Sequence, residues 1–273
     1  MKEIFDYSTK PKTLLNFKQV YKDVKVLGSG FFGETHLVIK DNKKYTLKLL
    51  KSINNIEYYN REVEALIKLS KSCHPSLVCY KDHFKLNGYY CILTEYINGI
   101  TLKELMLKQV LSYKNIIHIG LWLLSTVADL HQKGFAHNDI STCNILATYD
   151  GQLKLIDFGL TCYTKETKKT SLMCVKNRLN NIQYSSPELT SGLYKQNVNY
   201  YSKTSDVFAC GLVLYELFTN GRPYKQDEYG RIISSYYHIP KPCLDKVLQN
   251  LLIINPNKRY TAKQGYQQLL KCK

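Results

Sequence analysis

Three oxygen-bearing side chains fall close together in the chain. Asp139 and Asn144 lie in His137-Asn138-Asp139-Ile140-Ser141-Thr142-Cys143-Asn144, and Asp157 follows thirteen residues past Asn144, in Asp157-Phe158-Gly159. A hard cation such as Mg²⁺ takes oxygen ligands and is usually held by one or two carboxylates together with substrate phosphates rather than by a full protein cage. Asn144 and Asp157 therefore read as metal-holding groups. Asp139 remains as a carboxylate that could orient an attacking hydroxyl and accept its proton. Phosphoryl transfer is the chemistry that such a set serves.

The elements that must position these groups come earlier. Gly28-Ser29-Gly30-Phe31-Phe32-Gly33 follows residues 24–27, apolar except for Lys25, and precedes residues 35–39, which reads as strand, glycine turn, strand. Glycines let a backbone approach phosphates closely. By itself the pattern also fits a flexible hairpin, whereas a dinucleotide-binding loop needs a helix directly after the third glycine. Fifteen residues past Gly33, Tyr45-Thr46-Leu47-Lys48 is an alternating strand ending in a lysine. In residues 60–69 the apolar positions Val63, Leu66, Ile67 and Leu69 fit a helical face, and that segment carries Glu62.

Together these motifs resemble the protein kinase superfamily. The resemblance runs from about Val20 to the C-terminus. It implies an α+β, bilobal protein-kinase-like fold, with a small antiparallel β N-lobe containing one key helix and a mainly helical C-lobe. A leader covers residues 1–20; the N-lobe covers about 21–96 and the C-lobe about 97–273. Asp139, Lys48 and Glu62 would be catalytic, with Glu62 pairing Lys48 so that the lysine meets the α- and β-phosphates, while Glu64 is expected on another, exposed face. ATP would be bound by Leu27, Gly28, Ser29, Gly30, Phe31, Phe32, Gly33, Glu34, Thr35, Lys48 and the backbone of Glu95 and Ile97. Asn144 and Asp157 would hold Mg²⁺, with Mn²⁺ as the alternative. Thr94 would occupy the gatekeeper position, and Leu66, Tyr80, His137 and Phe158 the regulatory spine. Ser186-Pro187-Glu188 looks like the Ala-Pro-Glu element, Asp206 would anchor the catalytic loop, and Arg259 would pair with Glu188.

Departures from the family pattern are informative. Asn138 replaces the arginine before the catalytic aspartate, so the usual positive pocket for an activation-loop phosphate is missing. Activity independent of that phosphate is expected. Ser141 replaces a lysine that helps neutralise the transferred group in most Ser/Thr kinases, and Asn181 stands where a threonine is usual. Thr35 and Thr46 replace a valine and an alanine facing the adenine, and Thr46 adds volume to a tight apolar slot.

Composition bounds the rest. The 273 residues suffice for one bilobal domain, without internal repeat or low-complexity tract. The first sixteen residues lack the apolar core of a signal peptide, and residues 116–130 are too short and too polar for a membrane span. Nine cysteines without Cys-x-x-Cys spacing point to reduced thiols, no structural zinc and a cytoplasmic location, the cytosol of a host cell included. The net charge of +16 raises nucleic acid as a partner, but the lysines are dispersed, so nucleic acid is disfavoured. Lys165, Lys168, Lys169, Lys176 and Arg178 outnumber Glu166 locally, which would suit an acidic partner. The expected partners are ATP and a protein substrate, with serine or threonine as the acceptor. The alternatives are a pseudokinase scaffold, which has no chemical need to keep Lys48, Asp139, Asn144 and Asp157 together, and small-molecule phosphotransfer.

Overall fold

Alternation of side chains and one tight turn set the first layer. The computed structural model describes residues 12–14, 21–30, 33–50, 56–70, 72–86, 88–164, 182–190 and 198–273. Strands β2 (Lys22–Gly30), β3 (Gly33–Lys40) and β4 (Lys43–Leu50) form an antiparallel meander. Asp41 and Asn42 turn β3 into β4 with φ of 49° and 60°, a conformation that short polar side chains tolerate and that matches the twist of a hairpin. β5 (Tyr80–Leu86) and β6 (Tyr89–Glu95) add a second hairpin, and β6 pairs with β4 in the sheet centre.

The edge of this sheet differs from the sequence expectation. Within the residues expected as a leader, β1 (Lys12–Leu14) pairs parallel with β5, Lys12 opposite Phe84 and Leu14 opposite Leu86. The sheet order is β1-β5-β6-β4-β3-β2. Three residues are too short a run for alternation to show, so this pairing is visible only once β5 offers an edge. The core under the sheet gathers Tyr21, Val38, Leu47, Phe84, Leu86, Cys91 and Leu93. Helix α1 (Ile56–Ser70) buries Val63, Ala65, Leu66 and Leu69. At roughly 1.5–3 kcal/mol for each fully buried apolar side chain, these clusters are the main force placing the helix.

The chain divides into two compact units, Met1–Asn98 and Gly99–Lys273. The second opens with β7 (Gly99–Thr101) and α2 (Leu102–Lys108), whose start is fixed by a capping box between Thr101 and Glu104. Helix α3 (Tyr113–Lys133) is capped by Ser112 and stopped by Gly134 at φ 89°. Short strands β8 (Phe135–Ala136), β9 (Ile145–Thr148), β10 (Leu153–Leu155) and β11 (Cys162–Tyr163) follow. Helices α4 (Pro187–Thr190), α5 (Val198–Thr219), α6 (Pro242–Leu251) and α7 (Ala262–Leu269) complete the helical part. The fold is thus α+β, with a mainly antiparallel sheet before Asn98 and a mainly helical second unit. Among the described residues no helix is long and apolar enough to cross a membrane.

Two buried charges lock α4 to the segment before α7. Arg259 donates from Nη1 to Glu188 Oε1 at 2.5 Å and from Nη2 to Oε2 at 2.9 Å, with both side chains 0% exposed. The remaining guanidinium hydrogens reach the carbonyls of Ile253 and Thr204, and Thr204 Oγ1 also donates to Glu188. The planar fork of arginine satisfies both carboxylate oxygens at once, which lysine could not do.

The cysteines correct the expectation of reduced thiols. Cys73 is bonded to Cys79 and Cys243 to Cys272, and Cys162 is disulfide-bonded as well; Cys91, Cys143 and Cys210 are free. Neither the Cys73–Cys79 nor the Cys243–Cys272 pair carries a sequence signature. Cys243 stands at the start of α6 and Cys272 lies beyond α7, so only the packing of the two helices brings them together.

Two outcomes are expected. Arg259→Ala should lower unfolding free energy by about 3–5 kcal/mol in denaturant titration, since it strands a buried carboxylate, whereas a loss below about 1 kcal/mol would mean that the pair is solvated. Alkylation of the denatured, unreduced chain should label Cys143 and spare Cys243 and Cys272, and Cys272→Ser should cost about 3–4 kcal/mol. Labelling of Cys243 without reductant would restore the reduced-thiol reading.

Candidate active site

In the first unit, the register of β4 places Lys48 opposite Thr35 of β3 and Ile92 of β6. Its Nζ donates to Glu62 Oε2 at 2.8 Å, with the lysine side chain 20% and the glutamate 6% exposed. The sequence-expected pair is therefore formed. Glu64 departs from expectation: it is buried and accepts from Lys68 Nζ at 2.9 Å. An i,i+4 lysine supplies a counter-charge while its stem covers apolar surface, which makes burial of this carboxylate tolerable.

The glycine strands divide their roles. Gly28 pairs with Thr35, Ser29 with Glu34 and Gly30 with Gly33. Among the described residues a Cβ on Gly28 would meet nothing within 4 Å, so the backbone there is open to close approach. A Cβ on Gly33, at φ 154°, would fall 1.8 Å from the Leu49 carbonyl oxygen, so this glycine is required by the packing of β3 on β4. Leu27 and Ser29 are exposed, and Glu34 contacts His36 at 3.3 Å. Phe31 and Phe32 lie outside the described residues. Thr46, expected to crowd an apolar slot, is half-buried and stands opposite Thr94.

Glu95 ends β6, and Ile97 follows half-buried. The Glu95 N–H donates to the Cys79 carbonyl at 2.9 Å, and its carboxylate accepts from the Cys79 N–H at 2.9 Å. A bond from Glu95 to an adenine edge must therefore use its carbonyl. Leu66 is buried and Tyr80 half-buried in this unit.

In the second unit one hairpin brings the oxygen ligands together. Leu155 pairs with Ile145, and the Ile156 N–H continues the ladder to the Asn144 carbonyl at 3.0 Å. Asn144 and Asp157 thus flank the open end of β9–β10. Asn144 Nδ2 donates to the Asp139 carbonyl and to Asp139 Oδ2, both at 2.8 Å. With its nitrogen so engaged, Asn144 directs its amide oxygen elsewhere. That oxygen and the Asp157 carboxylate are hard donors that fit Mg²⁺, two protein ligands leaving further positions to phosphate and water. Asp157 adopts φ 62°, and its Oδ1 accepts from the Gly159 N–H at 3.3 Å.

The turn that carries Asp139 hangs on Asp206. This buried carboxylate accepts from the His137 N–H at 2.8 Å, the Asn138 N–H at 2.7 Å and His131 Nε2 at 3.0 Å. His137 is fully buried, meets the Phe158 ring edge-on at 5.0 Å, and accepts the Asp139 N–H on Nδ1 at 3.2 Å. Burial holds its pKa below the ordinary histidine value, against the opposing pull of Asp206 and Asp157. It is a packing residue, not a base.

Ser141, in place of the family lysine, is buried, and its hydroxyl has no partner among the described residues. Thr142 and Tyr184 hydroxyls meet at 2.9 Å, and Tyr184 donates to the buried Glu216, which Lys103 also reaches at 3.1 Å. Arg222 lies over the Tyr184 ring at 4.4 Å. This network, which ties the catalytic loop to Tyr184, has no local sequence signal. The basic cluster of Lys165, Lys168, Lys169, Lys176 and Arg178, together with Glu166 and Asn181, lies outside the described residues.

Comparison with known proteins agrees with this arrangement. The model of the protein kinase domain matches residues 21–270. A probable myosin light chain kinase of Dictyostelium discoideum is 30% identical over 266 residues, 90% of this chain and 52% of that protein. Serine/threonine-protein kinase PrkC of Bacillus subtilis is 30% identical over 210 residues, 75% of this chain and 31% of that protein. The dual specificity protein kinase pyk3 of Dictyostelium discoideum is 31% identical over 210 residues, 74% of this chain and 14% of that protein. The chain spans about half or less of the length of these curated relatives. With a matched domain over nearly all its length, the chain belongs to the protein kinase family.

Proposed function

We propose that the chain transfers the γ-phosphoryl group of ATP to a protein hydroxyl, serine or threonine in preference to tyrosine. The observation that carries the reading is the bond from Asn144 Nδ2 to Asp139 Oδ2, 2.8 Å long. It fixes the carboxylate that would accept the hydroxyl proton to the residue that would hold the metal. Asp139 would orient the acceptor hydroxyl, and Lys48, held by Glu62 at 2.8 Å, would position the α- and β-phosphates. Mg²⁺, or Mn²⁺ in its place, would supply charge neutralisation at the phosphates when bound by Asn144 and Asp157. The open backbone at Gly28 and the Glu95 carbonyl would serve the nucleotide. The kinase relatives named serine/threonine-specific support the acceptor class, while the dual-specificity relative keeps tyrosine in the test.

A scaffold reading draws on one observation, the burial of Ser141 where the family lysine would add positive charge. Lower turnover is the consequence expected, since a hydroxyl cannot replace that charge. A cytoplasmic location is not carried forward, because the paired cysteines remove its premise.

The deciding experiment is ³²P incorporation from Mg²⁺-ATP into the full chain and a general basic-protein substrate. Wild type should yield phosphoserine and phosphothreonine, Asp139→Asn should lower the rate by about 10²–10⁴-fold, and Lys48→Met should abolish labelling. ATP binding without labelling of either protein by wild type would favour the scaffold.

A further inference from the structure

β8 and β11 pair antiparallel, Cys162 opposite Ala136 and Tyr163 opposite Phe135. Extended by two residues beyond Cys162 and Ala136, that register would set Leu160 opposite Asn138. A backbone N–H would ordinarily serve the Leu160 carbonyl there, but the Asn138 N–H is already given to Asp206 at 2.7 Å. The side chain takes its place. Asn138 Nδ2 donates to the Leu160 carbonyl at 3.1 Å and to Cys162 Sγ at 3.2 Å. Leu160 and Cys162 are buried, so these acceptors have little recourse to water. Asn138 sits at φ 63°, a conformation that asparagine adopts more readily than most side chains.

The bond closes a tight turn. Asp157-Phe158-Gly159-Leu160 carries the metal-binding carboxylate, with Asp157 at φ 62° and the Thr161 N–H returning to the Phe158 carbonyl at 3.1 Å. Its entry is held by Asn144, whose carbonyl accepts the Ile156 N–H at 3.0 Å. Its exit is held by Asn138. Two asparagines of one catalytic loop therefore grip both ends of the segment that aims Asp157.

We propose that Asn138 is a positioning residue for Asp157, clamping this turn through neutral hydrogen bonds that need no phosphate to form. The proposal rests on the reading of Asp157 as a Mg²⁺ ligand. It gives Asn138 a role in place of the arginine it replaces: an arginine side chain brings a charge that calls for a counter-ion, whereas the amide is already engaged.

Two variants of the full chain separate the donor from the backbone conformation. Asn138→Asp keeps the shape, the backbone N–H and the tolerance of positive φ but has no side-chain N–H to give, and Asn138→Gly keeps the conformation without a side chain. In both, amide exchange across residues 158–163 should quicken, and the Mg²⁺ concentration for half-maximal rate should rise about 10–100-fold, as for other partners of metal ligands, while the ATP KM at saturating Mg²⁺ stays within about twofold. Phosphatase treatment should leave the wild-type rate unchanged. Unchanged exchange in both variants overturns the clamp, as does a parallel loss of ATP KM and Mg²⁺ dependence, which marks general loosening. An inactive wild type would sink the catalytic reading alone, since exchange reads the clamp without turnover.

Discussion

The buried carboxylate of Asp206 is the constraint on which the catalytic loop depends. A charge at 1% exposure is tenable only when its lone pairs are filled, and three donors from two segments fill them: His131 Nε2, the His137 N–H and the Asn138 N–H. Serving one acceptor from two successive N–H groups bends the chain, and Asn138 takes positive φ as a result. That bend leaves Asp139 half-buried at the surface of the loop while His137 stays in the core. One acid in α5 thus decides which side of the loop faces chemistry and which faces packing. Phe158 then meets the buried histidine edge-on, so the segment that carries Asp157 is referred to the same anchor.

Much of this was legible because the chemistry depends on residue type. Asp139, Asn144 and Asp157 could be read from what a hard cation and a hydroxyl require, and the β9–β10 hairpin does bring Asn144 and Asp157 to one end. An alternating strand ending in Lys48 and a helical segment carrying Glu62 were readable, and their pairing followed from the resemblance. The Arg259–Glu188 pair followed from resemblance, and no local pattern announces it across 71 residues.

What escaped the sequence is long-range or small. Cys243 and Cys272 meet through the packing of α6 with the C-terminal turn, and nothing in their spacing tells a bonded pair from two thiols. Three residues of β1 carry no periodicity. Glu64 was misplaced because a helical wheel assigns charge to solvent, and here Lys68 neutralises it inside. Glu216 was passed over for the opposite reason, as one acid in an apolar helix, although Tyr184, Thr142 and Lys103 all converge on it.

The two departures at the catalytic loop act in one direction. Asn138 and Ser141 remove two positive charges that the family pattern would place on either side of Asp139, and the structure answers with neutral contacts. The amide of Asn138 is spent on Leu160 and Cys162, and Ser141 is withdrawn into the core. Cations near the loop come instead from Lys103 and Arg222, both committed to the Glu216 network. Such a loop is held by short-range hydrogen bonds whose strength does not depend on screening, unlike an arginine pocket whose hold on a distant phosphate fades with salt and with the phosphate itself. Geometry fixed in this way does not wait on a phosphate, and under the proposed function the cost would fall on the transition state, which would be stabilised with fewer charges from the loop.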